Sequence, residues 1–180
     1  LYQVYSIVSG ILDENLVKEG DVVLKEQALI QIINSTPKLN SANTKLALLL
    51  AKENYKGNST VLESIKDEII AATLSFKNDS INFRRQQNLW NQKIGSKVEF
   101  DTKQLKYQLS ENNLALLKNK FHQTENQLGT TLKQAENNYK TSLINTKDFT
   151  VKSKMNRKVY ELKKEPGELV NFQEPIALIG

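Results

Sequence analysis

The stretch LDENLVKEGDVVLKEQALIQI at residues 12–32 decides the fold, because its pattern recurs near the other end of the chain. Residues 159–179 read VYELKKEPGELVNFQEPIALI and follow the first stretch at an offset of 147. The matched pairs share their chemistry: Glu14 with Glu161, Gly20 with Gly167, Asp21 with Glu168, Val23 with Val170, Leu29 with Ile176 and Ile32 with Ile179. The chain therefore carries an internal repeat with one copy at each end.

Each copy has the pattern of short β-strands separated by glycine turns. Apolar runs rich in Val and Ile flank the triplets EGD and PGE, which are typical of strands and tight turns. Such a turn often requires a positive φ, which glycine adopts without strain, so Gly20 and Gly167 are predicted to be structural turn residues. Because a few short strands cannot bury a face alone, the copies are predicted to pack together into one small β-sandwich.

Between the two copies, the pattern changes to that of a coiled coil. Apolar side chains recur every seven residues on two successive segments. The first series is Leu62, Ile69, Phe76, Phe83 and Trp90 with Ile65 and Ala72 beside it, and the second is Phe100, Tyr107, Leu114, Phe121, Leu128 and Ala135. Two such segments joined by a short turn indicate an antiparallel helical hairpin. We interpret the aromatic residues as packing in its seam rather than as a ligand-stacking site.

These patterns divide the chain into three parts. Residues 1–34 form the first half of the sandwich, residues 35–147 the helical hairpin and residues 148–180 the second half. Within the hairpin, we expect a first arm at about residues 41–93, a tip at about 93–96 and a second arm at about 97–146. Gly57 predicts a break near residues 57–59. Gly129 either shares a kink with it or is only a weak spot in a continuous helix.

The segment RQQNLWNQKIGSKVEFD at residues 85–101 is predicted to contain the turn between the arms. Arg85 and Leu89 are four residues apart and share one helix face. Ser96 is the predicted N-cap of the returning helix, with Glu99 at the capping-box position. A guanidinium offers a planar set of donors and a leucine offers an apolar knob, a combination that suits docking against another helical tip.

Two further features concern the faces of the arms. Asp79 and Gln86 take seam positions that are apolar lower down, so the seam becomes polar towards the turn. A second stripe lies off the main seam of the returning arm and consists of Val98, Leu105, Leu109 and Leu116. It forms either a broad intramolecular face or a contact with a neighbouring copy.

Composition excludes several classes of function. The net charge is +5, but the lysines are spread along the chain and alternate with acids, unlike a nucleic-acid-binding patch. The chain has no cysteine, and its one histidine, His122, has no second histidine as a co-ligand, so no metal site is expected. The longest apolar run, LALLLA at residues 46–51, is far shorter than a membrane span. No nucleophile elbow, phosphate loop or catalytic triad is present, so we expect neither an enzyme nor a bound cofactor.

The two ends resemble a known family. VSGILDENLVKEGDVVLKEQALIQI at residues 8–32 and FTVKSKMNRKVYELKKEPGELVNFQEPIALIG at residues 149–180 look like the two half-motifs of HlyD-like membrane fusion proteins, the periplasmic adaptor subunits of tripartite efflux and type I secretion systems. The resemblance implies an α+β fold: a split lipoyl/biotinyl-like β-sandwich with an inserted long antiparallel coiled-coil α-hairpin. Arg157 and Glu26 stand at turn positions where the family pattern usually has glycine.

The resemblance also implies a function. Adaptors that dock on TolC-type outer-membrane channels carry an Arg, a Leu four residues on and a Ser seven residues further at the hairpin tip, and Arg85, Leu89 and Ser96 have this spacing. We therefore expect a fragment of a periplasmic adaptor that links an inner-membrane transporter, ABC or proton-driven, to such a channel. Self-association into a ring in the full protein, and membrane association through parts outside these 180 residues, are implied as well.

Two alternatives belong to other functional classes. The first is a non-catalytic coiled-coil tether without channel contact. The second is a biotinyl or lipoyl carrier domain, which would present a modifiable lysine in a short Met-Lys hairpin after Ile32. This chain has INSTPKLN at residues 33–40 instead, which disfavours the carrier.

Overall fold

The computed structural model describes residues 1–56 and 60–180, and over these residues the chain forms eight strands and three helices. In chain order they are β1 (Tyr2–Tyr5), β2 (Gly10–Asn15), β3 (Val22–Val23), β4 (Ala28–Ile32), α1 (Ser35–Tyr55), α2 (Thr60–Asn91), α3 (Lys97–Asp148), β5 (Thr150–Lys152), β6 (Arg157–Leu162), β7 (Leu169–Val170) and β8 (Pro175–Ile179). The predicted α+β class, with antiparallel sheets and a long helical hairpin, is confirmed. The predicted break near residues 57–59, including Gly57, lies outside the described residues.

The chain divides into two compact units. The first unit comprises Leu1–Ala47 and Ala135–Gly180 and contains all of the β-strands just named. The second unit comprises Leu48–Gln134 and contains α2 with the facing part of α3.

In the first unit, each sheet takes strands from both ends of the chain. One sheet has the strand order β1-β8-β6-β3 and the other β5-β4-β2-β7. All pairs are antiparallel, with Tyr2 opposite Ile179 in the first sheet and Leu12 opposite Ile32 in the second. Adding four to each strand number converts one order into the other, so the unit has an internal two-fold relation. Neither end can complete a sheet without the other.

The sequence repeat is visible residue by residue. Strands β2, β3 and β4 return as β6, β7 and β8 at the offset of 147, and β4 and β8 have the same sequence of buried and partly buried positions. Even the local turns repeat. The Ser6 hydroxyl donates to the Val8 carbonyl at 2.6 Å, and the Ser153 hydroxyl donates to the Met155 carbonyl at 2.6 Å.

A shared hydrophobic core holds the two sheets together. Its best-buried members come in repeat-related pairs and are at most 1% exposed: Leu12 and Val159, Val23 and Val170, Leu29 and Ile176, Ile30 and Ala177, Ile32 and Ile179. Each branched aliphatic side chain of this kind contributes about 1.5–3 kcal/mol when it leaves water. Both copies contribute the same number of these best-buried side chains to the core, and this accounts for the repeated apolar pattern in the sequence.

Helix α1 begins earlier than the start near residue 41 that the sequence suggests. Its first residue is Ser35, and the Asn34 carbonyl accepts the Lys38 amide at 3.0 Å. Pro37 lies within this first turn, where amides have no acceptor inside the helix, so the proline is tolerated there.

The two positions that depart from the family pattern behave differently. Glu26 has φ 68, so it takes the left-handed conformation that glycine would adopt with less strain. Arg157 does not lie in a turn, which corrects the interpretation above: it is the first residue of β6 and pairs with Val23. An extended backbone accepts any side chain, so no glycine is required at this position.

Both repeat copies turn at a glycine. Gly20 has φ 96 and Gly167 has φ 93, and a Cβ added to either residue would meet no atom within 4 Å. The cost of another residue at these positions is therefore purely one of backbone conformation.

We expect Gly20→Ala and Gly167→Ala each to lower the free energy of unfolding by about 1–2 kcal/mol, since an L-residue is strained at these φ values. Urea unfolding of the two variants measures this cost. Because the two turns are equivalent, the losses should agree within about 0.5 kcal/mol, the usual error of additive comparisons. A loss confined to one variant would contradict the proposed equivalence of the turns.

Candidate functional site

The candidate site is the end of the helical hairpin, which lies wholly within the second unit. A ladder of aromatic rings crosses the seam between α2 and α3 on the way to this end. Ring centroids are 5.6 Å apart in Phe76–Tyr107, 5.3 Å in Phe83–Tyr107, 5.7 Å in Phe83–Phe100 and 5.7 Å in Trp90–Phe100. Aromatic pairs at such distances contribute about 0.5–1.5 kcal/mol each beyond their area. The aromatic residues therefore pack in the seam, as predicted.

The ladder is interrupted by one buried charge. Asp79 is only 4% exposed, and its Oδ1 lies 3.5 Å from Nζ of Lys106 on the opposite helix. The lysine side chain is largely exposed, so the ion pair spans from the seam to water. A polar group at one seam position favours a single register of the two helices, because any shift would leave the carboxylate without its partner.

Helix α2 ends in a Schellman motif. The Ile94 amide donates to the Leu89 carbonyl at 2.9 Å, and the Lys93 amide donates to the Trp90 carbonyl at 2.9 Å. Lys93 has φ 62, the left-handed conformation that usually falls to glycine at this position. The glycine of the segment comes two residues later, so the sequence alone did not identify Lys93 as the terminating residue.

Helix α3 begins with a reciprocal capping box. The Glu99 amide donates to the Ser96 hydroxyl, and the Ser96 amide donates to the Glu99 carboxylate, both at 3.2 Å. This part of the tip prediction is confirmed. Gly95, just before the cap, has φ 94, and a Cβ on it would lie 3.2 Å from Nε2 of Gln86. The turn therefore leaves little room for another residue.

The structure places the three predicted docking residues at this end with different environments. Arg85 is exposed on α2, and Leu89, one turn later, is 40% exposed. Ser96 lies across the turn and uses its hydroxyl to cap α3. Trp90 and Ile94 add partly exposed apolar surface next to Leu89 and were not among the predicted site residues. The sequence does show that Trp90 and Ile94 are apolar residues on either side of the polar residues 91–93, and this could have identified them.

We also searched the described residues for a metal site and for a membrane-spanning helix. Over residues 1–56 and 60–180, no group of three His, Cys, Asp or Glu side chains is arranged to hold a metal ion. The His122 Nδ1 lies 3.8 Å from the Glu125 carboxylate, one turn away on the same helix. None of the described helices is long and apolar enough to cross a membrane.

Comparison with known proteins identifies structural relatives only. No protein-family profile and no curated protein sequence matches the chain significantly. The periplasmic adaptor protein EmrA superposes with a TM-score of 0.53 at 12% identity, covering 99% of this chain and 71% of EmrA. The soluble domain of LipC, a membrane fusion protein of a type I secretion system, gives 0.53 at 13% identity, with 98% and 97% covered. MacA from Actinobacillus actinomycetemcomitans gives 0.46 at 21% identity, and the chain spans 47% of its length.

The EmrA and LipC superpositions show that the chain shares the fold of these membrane fusion proteins over almost its whole length. The resemblance predicted from the two half-motifs is thereby confirmed at the level of the fold. Identities of 12% and 13% explain why sequence comparison finds no relative.

The conformation of Lys93 leads to a stability prediction. We expect Lys93→Gly to raise the free energy of unfolding by about 1 kcal/mol, because glycine adopts the left-handed conformation without strain. Lys103→Gly is the matched control, since Lys103 is exposed inside α3, and glycine there should cost about 1 kcal/mol. Urea unfolding followed by circular dichroism measures both. Destabilisation by both variants would contradict the described end of α2.

Proposed function

We propose that this chain is part of a periplasmic adaptor, a membrane fusion protein that links an inner-membrane transporter to a TolC-type outer-membrane channel. The observation that carries the proposal is the fold, shared with EmrA and the LipC soluble domain over 98–99% of the chain. The structure of the hairpin end adds to this support, because an exposed arginine and an exposed leucine lie beside a turn in which both helix ends are capped. The proposed activity is transport by assembly rather than catalysis.

We assign the first unit to the lipoyl/biotinyl-like class of β-sandwiches, split by the hairpin. The two-fold relation between the sheets and the repeat-related core pairs support this assignment. A carrier role is disfavoured because the chain passes from β4 directly into α1 at Ser35, where a carrier would place its modified lysine on a β-hairpin.

Docking on the channel is assigned to Arg85, Leu89 and Ser96 together. Arg85 would donate to carboxylates or free carbonyls at the end of a facing helical hairpin, and Leu89 would fill an apolar groove there. Ser96 acts mainly through its cap, which fixes the start of α3 beside the two other residues. A docking surface held by two helix termini loses little conformational entropy on binding.

The proposed setting is the periplasm, with attachment to the membrane through parts of the protein outside these 180 residues. The inner-membrane partner would be an ABC or a proton-driven transporter. Several copies would form a ring, so that their hairpins surround the path of the exported substrate.

Export by the parent system tests the docking residues. Arg85→Glu reverses the charge and Leu89→Asn removes the apolar knob. A central interface residue contributes about 2 kcal/mol or more, which is some thirty-fold in affinity. We therefore expect each variant to reduce export strongly at normal protein levels, measured as substrate released from whole cells.

Matched control variants separate docking from folding. Lys140→Glu makes the same charge change on an exposed part of α3, and Leu143→Asn changes a leucine that is 38% exposed, close to the 40% of Leu89. Both controls should export normally. If export survives Arg85→Glu and Leu89→Asn with normal protein levels, the tip assignment is wrong and the chain is a tether.

A further inference from the structure

The first unit contains a groove along the edges of its two sheets. Strands β1 and β5 are the edge strands on this side, and residues of both line the groove. Its volume is about 470 Å³, which falls within the range of small-molecule sites in proteins, about 300–1,000 Å³. Val4 and Val151, which are buried residues of the two strands, also contribute to the lining. The groove is therefore large enough for an organic molecule and offers it apolar surface.

The internal repeat relates the two strands of this groove residue by residue. At the offset of 147, Val4 corresponds to Val151, and both are apolar and buried. The hydroxyls of Ser6 and Ser153 each donate to the carbonyl two residues later, so the backbone follows a similar course after each strand. Positions in one copy can therefore be compared directly with their partners in the other.

The two copies differ in chemistry at two positions that line the groove. Tyr5 corresponds to Lys152, and Ile7 corresponds to Lys154. Tyr5 is 44% exposed and Ile7 is 72% exposed, and both lysines are exposed as well. We call Tyr5 and Ile7 the apolar side of the groove, and Lys152 and Lys154 its basic side. Because the fold accepts either residue type at these positions, folding does not account for the difference.

The charged side chains of the groove have no ionic partner within the fold. Three are the lysines Lys147, Lys152 and Lys154, and two are the carboxylates Glu26 and Asp148. None of the five forms an ion pair with another residue of the described ranges 1–56 and 60–180. The lysines are therefore free to contact an anion, which the two carboxylates oppose only weakly at exposed positions. Glu26 also has φ 68, and strained conformations of this kind cluster at functional sites.

We propose that this groove binds an amphipathic organic anion, with its apolar part on Tyr5 and Ile7 and its anionic head group on Lys152 and Lys154. Burial of the apolar part supplies binding free energy. The ammonium groups select the charge of the ligand through charge-assisted hydrogen bonds. The site involves no residue of the hairpin end and requires neither a transporter nor a channel.

A peptide strand fits this groove less well than a small amphipathic anion, although both bordering strands have a free edge. Strand β1 has four residues and β5 has three. An added strand would therefore pair over less than the usual strand length of about five to six residues. A small anion needs no backbone pairing, and the difference between the apolar side and the basic side matches its two ends.

Two amphiphiles of equal chain length test the charge preference of the groove. Dodecanoate is an anion at neutral pH, whereas dodecyltrimethylammonium is a cation. We expect dodecanoate to bind the full chain at least about ten-fold more tightly, as one hydrogen bond to a charged group would give. Isothermal titration calorimetry with both probes below their micelle concentrations measures this ratio. Equal affinities, or no binding of dodecanoate, would overturn the inference.

The length of the chain tests the apolar side. Decanoate lacks two methylene groups of dodecanoate, and each buried methylene is equivalent to about four-fold in affinity. We therefore expect decanoate to bind more weakly than dodecanoate, by up to about fifteen-fold. Equal affinities of the two anions would show that the lysines bind any carboxylate and that no apolar site exists.

The repeat supplies variants whose side chains the fold already accepts. Lys152→Tyr with Lys154→Ile gives the basic side the residues of the apolar side, and it should remove the preference for dodecanoate over dodecyltrimethylammonium. Tyr5→Lys with Ile7→Lys makes the reverse exchange, and it should remove the difference between dodecanoate and decanoate. If either difference survives the exchange that should remove it, the assignment of the two sides is wrong.

Lys158→Ile with Lys163→Leu is the matched control for the first exchange. These exposed lysines also correspond to apolar residues of the other copy, Ile11 and Leu16, but neither lysine lines the groove. The control should bind all three probes as the unchanged chain does. A control that also loses the preference for dodecanoate would reveal a general effect of net charge and contradict a localised site.

Backbone amide chemical shifts, measured by nuclear magnetic resonance, locate the bound probe. Dodecanoate should shift the resonances of β1 and β5 and leave those of α2 unchanged. Shifts confined to the helices would place the probe elsewhere and overturn the inference. Shifts of β1 and β5 that depend on protein concentration alone would overturn it in favour of a second copy. Binding of only phosphatidylglycerol vesicles, or of only a short peptide of alternating valine and glutamate, would overturn it in favour of a lipid surface or a strand.

Discussion

Pairing of the two chain ends is the constraint on which the rest of the structure depends. Strands β4 and β5 are neighbours in one sheet, with Ile30 opposite Val151. Helix α1 starts just after β4, and α3 ends just before β5, so everything between them leaves and returns at adjacent strands. A long helical insertion can satisfy this condition only by turning back on itself. The hairpin is therefore a consequence of how the ends pair, and its two helices are held together by the side chains at their heptad positions.

The division between seam and outward faces follows from the same geometry. Two helices have one mutual seam, and the aromatic ladder with Asp79 occupies it near the turn. Side chains outside the seam meet water unless another molecule covers them. Apolar residues at regular spacing on those faces are costly for a monomer, since exposed apolar patches promote association. Val98, Leu105, Leu109 and Leu116 of α3 and Ile70, Leu74 and Ile81 of α2 are the exposed apolar residues of this kind in the middle of the hairpin.

Sequence patterns predicted the parts of this structure that depend on periodicity or on local chemistry. The repeat at an offset of 147 predicted which strands are related, and the heptads predicted which residues lie in the seam. Ser96 and Glu99 predicted where α3 begins. Sequence reasoning failed where tertiary context overrides a residue's usual preference. Lys93 and Glu26 adopt left-handed conformations, in which one would expect glycine. The exposed apolar residues Ile70, Leu74 and Ile81 of α2 were missed because Lys77 interrupts their pattern, and only the structure shows that all three face solvent.

Contact between the hairpin tip and an outer-membrane channel is the central functional claim, and site-specific photo-crosslinking tests it most directly. A photoreactive amino acid replaces Leu89 at the tip in the parent protein, and in a second variant it replaces Asn138, an exposed residue of α3 far along the chain from the turn. Irradiation of living cells followed by mass spectrometry identifies the captured proteins. We expect a TolC-type channel protein to be captured at position 89 and none at position 138. Capture of no channel at position 89, or equal capture at both positions, would contradict it.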